Sequence, residues 1–318
     1  MKCVLLDRAS MDKDDLDFSV LENLVSELQS HDHVEDDELI SAVGDADVIV
    51  TNKVVIDRRI VSACDKLKLI CVAATGINNV DIQAAREFGI AVCNARAYAT
   101  PSVVEHVFAM IMTLMRNLNN YQKASCDGRW SGSREFCYID KPIIELSSKV
   151  LGIVGYGELG KAVARVAAAF GMEVIVAQRP GDEQCAEGRV MLTDLLPQVD
   201  VLSLHCPLDS NTSNLIDIDA MKLMKPESIL INTARGGVVN EQDLLRALQE
   251  KLIAGAGLDV LLNEPPDRDY PLLRQTGLNL VLTPHIAWAS REARQRLVDE
   301  IYNNIQAFMA GNVRNSVL

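Results

Sequence analysis

Three side chains of different chemistry stand where three apolar runs end. Arg235 closes "SILINTAR", Glu264 follows shortly after "AGLDV", and His285 closes "NLVLTPH". Taken singly, each has an ordinary explanation: a surface ion pair, a turn residue before Pro265, a core or capping histidine. Taken together they supply a fixed cation for an anionic substrate, a general acid/base, and a carboxylate to orient that base. Reduction of a ketone by hydride needs this set. In an open α/β sheet ligands lie outside the carboxyl ends of the strands, so polar residues at three such ends are catalytic candidates.

A second element concerns phosphate. In "LGIVGYGELGKAVARVAAAFGMEVIV" the residues Gly155, Gly157 and Gly160 have GxGxxG spacing, follow an apolar run and open an alanine-rich helical stretch. The first glycine permits the tight turn, the second lets backbone approach a pyrophosphate, and the third lets helix pack on strand. The helix N-terminus adds amide donors. A methyltransferase that binds S-adenosylmethionine shares such a turn but does not predict the strand-end trio. About 20 residues beyond such a turn an acidic residue ordinarily grips the NAD ribose. Gln178 occupies that position, followed by Arg179. A side chain that can hydrogen bond is kept while the charge that repels a 2′-phosphate is gone, so NADPH is expected to serve at least as well as NADH.

These residues need strands to carry them. Ten short apolar runs alternate with helical patterns: "KCVLLD", "ADVIVTN", "LKLICVAAT", "IAVCNA", "KVLGIVGYG", "EVIVAQ", "VDVLSLHCP", "SILINTAR", "IAGAGLDV" and "NLVLTPH". Unbroken apolar strands separated by helices mark parallel sheets covered on both faces, which makes the fold α/β with two doubly wound parallel-sheet domains. The seam is "TPSVVEHVFAMIMTLMRNLNNYQKA", read as one long helix with Thr100 and Pro101 as cap and first-turn residues. Its stripe of Val103, Val104, Val107, Met110, Ile111 and Leu114 is core or a subunit interface. The last helix, "SREARQRLVDEIYNNIQAFMAG", either completes the second unit or crosses back to the first. The stretch "DGRWSGSREFCYIDKPIIEL" reads as an irregular arm whose Trp130 and Phe136 need covering.

Composition narrows the partners. A chain of 318 residues suits two cores, and a net charge of −13 argues against a nucleic-acid surface, which needs clustered Lys and Arg. The acidic stretches "MDKDDLDF" and "HDHVEDDELI" read as solvated faces, and His31 and His33 lack a metal-ligand spacing, so no metal is expected. The eight cysteines form no CxxC pair, and the N-terminus turns polar too soon for a signal peptide. No run approaches membrane-spanning length, so a reducing cytoplasm is the expected home.

The stretches "GYGELG", "NTARGG", "GLDVLLNEPP" and "LTPHIAWASREA" resemble the D-isomer-specific 2-hydroxyacid dehydrogenase family over nearly the whole chain. Within it, "KCVLLDRAS", "AATGINNVD", "GYGELGKAVAR" and "SLHCPL" are most similar to bacterial glycerate dehydrogenases, also called hydroxypyruvate reductases. The resemblance implies that Arg235 binds the substrate carboxylate and carbonyl, that His285 is the acid/base, and that Glu264 pairs with it. It also implies that backbone around Thr75, Gly76 and Ile77 receives the carboxylate and that Asp259 contacts the nicotinamide amide. The NAD(P) site would further take in Tyr156, Glu158, Leu159, His205, Cys206, Pro207, Thr212, Thr233, Ala234 and His285, with no metal.

The implied architecture is a flavodoxin-like substrate domain, residues 1–98 completed by 290–318, around an inserted Rossmann cofactor domain, 99–289, with the cleft between them. Homodimers joined through the cofactor domain would suit the helix from Thr100 and the arm of Trp130. The implied reaction is hydroxypyruvate to D-glycerate, with glyoxylate to glycolate beside it. A corepressor-like dinucleotide sensor is the rival reading, and the intact trio favours the enzyme. The end at Leu318 argues against the regulated phosphoglycerate dehydrogenases, and Glu264 against formate dehydrogenases, where glutamine stands there.

Overall fold

Successive residues of the apolar runs point to opposite faces of their sheets, and the computed structural model, which describes residues 1–182 and 184–318, shows both faces covered. The chain divides into two compact units, Met1–Ala99 with Trp288–Leu318, and Thr100–Ala287. In the first, β1 (Lys2–Leu5), β2 (Glu27–Ser30), β3 (Val48–Thr51), β4 (Leu69–Val72) and β5 (Ala91–Asn94) form a parallel sheet in the order β2-β1-β3-β4-β5. Cys3, Val48, Leu69 and Cys93 face Leu297, Val298, Ile301 and Ile305 of the C-terminal helix Arg291–Met309. Val4, Ile49, Ile70 and Val92 face Leu39, Ile60, Ala84 and Ala85. A Leu or Ile side chain buried in this way contributes roughly 1.5–3 kcal/mol.

The last helix therefore completes the first unit. Beyond it, Ser316 bridges antiparallel to Cys93 and Val317 N donates to Val92 O at 3.1 Å, which occupies the free edge of β5. Strand β2 is the one strand absent from the ten apolar runs. Its sequence, ELQS, lies at the other edge and is mostly exposed, so no hydrophobic run marks it.

The second unit holds β6 (Val150–Val154), β7 (Glu173–Val176), β8 (Val201–Leu204), β9 (Ile229–Asn232), β10 (Gly255–Leu258) and β11 (Leu280–Leu282), all parallel, in the order β11-β10-β9-β8-β6-β7. Val190 adds a parallel bridge to Ala177, just past β7, as a one-residue third strand. Counting it, the order is that of the doubly wound dinucleotide fold, with its switch point between β6 and β8.

The seam helix differs from expectation. It spans Thr100–Met115 and stops, and a second helix, Leu118–Cys126, follows. At the break Asn117 adopts φ +51° and its side-chain amide donates to Pro142 O at 2.7 Å, so the arm diverts the chain. Thr100 lies inside the helix, and its hydroxyl bonds Glu158 in place of capping. The apolar stripe is buried within this unit, against β9, β10, β11 and the helix Glu158–Ala169. On the arm Trp130 remains 51 % exposed and Phe136 92 %.

Candidate active site

The turn after β6 shows which glycines the protein itself requires. Gly155 has φ +92°, and a Cβ there would meet Cys206 N at 2.5 Å; a Cβ on Gly160 would meet Gly155 O at 2.2 Å. Both are demanded by packing. Gly157 is different: a Cβ there would meet nothing within 4 Å. The space in front of it opens on the N-terminus of the helix Glu158–Ala169, where no side chain caps the first amides.

The neighbouring strand ends carry polar atoms left short of partners. His205, after β8, bonds Ser203 Oγ through Nε2 at 2.9 Å, while its buried Nδ1 has no partner among the described residues. Burial pushes this imidazole down to about 4, so it is neutral near pH 7. The buried Thr233 Oγ1, after β9, is likewise unpartnered among the described residues. Such atoms are ordinarily satisfied by protein or by what binds there. An open cradle at Gly157 with two orphaned polar atoms beside it fits a dinucleotide. Tyr156, Leu159, Pro207 and Ala234 lie in the same turns, and Cys206 contributes a buried thiol raised to about 11 by burial.

Other residues expected to touch a cofactor are already engaged. Thr212 donates to Pro207 O and accepts from Asp209 N, each at 2.7 Å, which staples their loop. Gln178 is buried, with Nε2 bonded to Asp182 Oδ2 at 2.8 Å and Oε1 accepting from Ala186 N at 3.0 Å. It shapes the loop after β7. The Asp259 carboxylate accepts from Thr283, Ile286 and Ala287. Arg179 is exposed.

The strand-end trio comes together. Arg235, Glu264 and His285 line one cavity of about 280 Å³ with Leu208, Gly236, Gly237, Val260, Leu261 and Leu262. Glu264 Oε2 lies 2.6 Å from His285 Nδ1 and its Oε1 accepts from Leu261 N at 2.8 Å. The acceptor carboxylate places a hydrogen on Nδ1, so Nε2 is the nitrogen that exchanges a proton with a ligand. Arg235 is exposed, its loop shaped by buried Asn232, whose Nδ2 donates to Arg235 O at 2.8 Å and whose Oδ1 accepts from Ala234 N at 3.0 Å. A Cβ on Gly236 would meet Leu261 C at 2.0 Å, so only glycine lets the segment bearing Glu264 pass so close. Glu241 anchors that segment too: it accepts from Leu262 N at 2.6 Å and from the Tyr270 hydroxyl. Asn232, Glu241 and Tyr270 carry no motif of their own. A polar residue ending a buried strand was the one available signal, for Asn232.

Thr75, Gly76 and Ile77 lie in the first unit, in the loop after β4. Thr75 Oγ1 donates to Ala95 O at 3.1 Å, and among the described residues the three backbone N–H groups have no acceptor. The described residues contain no cluster of three metal-ligating side chains and no helix long and apolar enough to cross a membrane.

The chain is similar to known proteins over its length. The family model described as "D-isomer specific 2-hydroxyacid dehydrogenase, NAD binding domain" matches residues 108–287. The chain is 42 % identical over 318 residues to the glycerate dehydrogenase of Methylorubrum extorquens, covering 99 % of this chain and 98 % of that one. It is 38 % identical over 323 residues to the hydroxypyruvate reductase of Blautia hydrogenotrophica, covering 100 % and 99 %. Among solved structures it resembles the NADPH-dependent glyoxylate/hydroxypyruvate reductase of Sinorhizobium meliloti in complex with NADP and malonate, with TM-score 0.80, 27 % identity, and coverage of 99 % and 96 %. The parallel sheets, the glycine turn, the strand-end trio and these likenesses over the full length agree: the chain belongs to the D-isomer-specific 2-hydroxyacid dehydrogenase family.

Proposed function

We propose that this protein reduces hydroxypyruvate to D-glycerate with a nicotinamide dinucleotide, and glyoxylate to glycolate as a second reaction. The observation that carries the reading is the His285–Glu264 pair at 2.6 Å in the cavity that Arg235 also lines. The glycine turn with His205, Thr233 and the loop after β7 would hold the dinucleotide, which would supply or accept the hydride. Arg235 holds the keto-acid carboxylate and polarises the carbonyl through its planar fork of donors. The amides of Thr75, Gly76 and Ile77 offer donors suited to a carboxylate, which supports reading the first unit as the substrate domain and the second as the cofactor domain. His285 delivers its Nε2 proton to the carbonyl oxygen, and the Glu264 carboxylate stabilises the protonated ring and fixes its tautomer. A non-catalytic sensor would not need this acid/base pair.

At the coenzyme, Gln178 is spent on its own loop and brings no charge to the adenosine ribose. The Arg179 guanidinium beside it is exposed and has no partner among the described residues, so NADPH is accepted at least as well as NADH. The exposed Trp130 and Phe136 on the arm fit burial in a homodimer, and eight free cysteines fit a reducing cytoplasm.

The test is the specificity constant for hydroxypyruvate with each coenzyme. Turnover with NADPH at least equal to that with NADH is expected. Absence of turnover with either overturns the enzyme reading. A preference for NADH above about 100-fold, ~2.7 kcal/mol, makes Arg179 a bystander.

A further inference from the structure

Asp259, just past β10, is 1 % exposed, and its acceptors are engaged with the segment that carries His285. Oδ1 accepts from Ile286 N at 2.9 Å and from Thr283 Oγ1 at 2.5 Å, Oδ2 accepts from Ala287 N at 2.8 Å, and the backbone carbonyl accepts from His285 N at 2.8 Å. His285 itself sits at φ +55°. The left-handed region costs a residue with a Cβ on the order of 1–2 kcal/mol, so this clamp holds a conformation the loop would not choose alone.

His106 reaches the clamp from the middle of the helix Thr100–Met115. Its Nε2 lies 2.9 Å from Thr283 Oγ1 and 3.5 Å from Asp259 Oδ1. The direction of each bond follows from counting hydrogens. Thr283 has one hydroxyl hydrogen, and a carboxylate only accepts, so that hydrogen goes to Asp259. The contact with His106 must then be donated by the ring, and Nε2 carries a hydrogen.

We propose that His106 is a positioning residue for the reaction: by donating to Thr283 it fixes the hydroxyl toward Asp259 and thereby holds the loop that aims His285. It acts through these two residues, and it rests on the reading of His285 as the acid/base. Nothing in the spacing of "VVEHVFAM" announces the role, because His106 lies 177 residues from Thr283.

The experiment compares His106→Gln, whose amide nitrogen reaches about as far as Nε2 and still donates, with His106→Leu, which cannot. Long-range proton–nitrogen spectra of the histidine rings are recorded beside kcat and KM for hydroxypyruvate. Wild-type His106 should show the Nε2–H pattern. His106→Leu should move the His285 ring signals and lower kcat about 10- to 100-fold, the scale of a misplaced catalytic group. KM should stay within about threefold, because Arg235 is carried by β9 outside the clamp. His106→Gln should restore both kcat and the His285 signals. The proposal is overturned by a neutral His106 with its hydrogen on Nδ1, by unmoved His285 signals in His106→Leu, or by equal losses in the two variants. If the signals move as expected while His285→Ala keeps wild-type turnover, the coupling stands and the catalytic reading of His285 fails.

Discussion

The carboxyl edges of the two sheets are finished in different ways. At the first, the Asp7 carboxylate accepts from the backbone N–H groups of Asn52, Lys53 and Val54 at 2.9, 2.6 and 3.3 Å. Asn79 donates to Val54 O at 3.0 Å and Asn94 to Thr75 O at 2.7 Å. Polar side chains there are consumed in shaping loops, with His31 Nε2, beyond the edge strand β2, the exception. At the second edge His205 Nδ1 and Thr233 Oγ1 are buried without partners among the described residues, and Gly157 faces open space. A buried polar group left unpaired costs about 1–3 kcal/mol, a deficit that a bound ligand can remove. One fold class thus serves two purposes: the first edge is closed by its side chains, with the Thr75, Gly76 and Ile77 amides left open between them, and the second leaves side-chain atoms open as well.

The strongest way to break this comparison is at the open edge. His285→Ala should lower kcat for hydroxypyruvate reduction by about 10²- to 10⁴-fold, the contribution of a positioned proton donor. Nucleotide affinity, measured by titrating nicotinamide fluorescence, should stay close to that of the wild type, because the glycine turn is untouched. Turnover near the wild-type rate would remove His285 from the chemistry.

That prediction was accessible from sequence because the histidine ends a recognisable apolar strand. The strands were legible for the same reason: burial on both faces forces continuous apolar runs, and ten such runs each contain a strand. Strand β2 was not, since ELQS at a sheet edge owes its pairing to β1 rather than to its own composition. The break at Asn117 was also hidden, because the helical periodicity of "MTLMRNLNNYQ" runs through it and only the bond to Pro142 O, 25 residues away, redirects the chain. In the site, residue types at strand ends were readable, whereas the buried anchors were not. Asp259 and Gln178 read as cofactor contacts, and the bracing of loops that they also perform had no mark in the sequence. Their partners lie in loops whose return path only the fold defines.

The closed edge should fail in a different way. Asp7→Ala removes the acceptor of three backbone N–H groups, and the cost expected is about 1–3 kcal/mol of stability. Trp288 lies in the first unit and Trp130 in the second, so fluorescence in a Trp130→Phe background reports the first unit alone. The urea midpoint followed through Trp288 should fall while the nucleotide dissociation constant holds. A parallel loss of nucleotide affinity, or an unmoved midpoint, would erase the distinction between the two edges.

The smallest effect expected is the most informative about the open edge. Glu264→Gln keeps the size of the side chain, and the amide oxygen can turn to the His285 Nδ1–H, so the tautomer survives. The charge does not. A carboxylate beside an imidazole favours the protonated ring, and its removal disfavours that form. Reduction draws on the protonated ring, so its pH profile should move downward in the variant. Oxidation of D-glycerate draws on the neutral ring and should lose less at the same pH. The amide NH₂ then faces the Leu261 N–H that Glu264 accepts in the wild type, which adds a small loop cost independent of pH. Recording both directions across pH separates the two contributions, since a loop defect lowers both rates at every pH and a charge defect displaces only the profile. If the reduction profile keeps its position, Glu264 serves to shape the turn before Pro265 and Pro266, and the proton chemistry belongs to His285 alone.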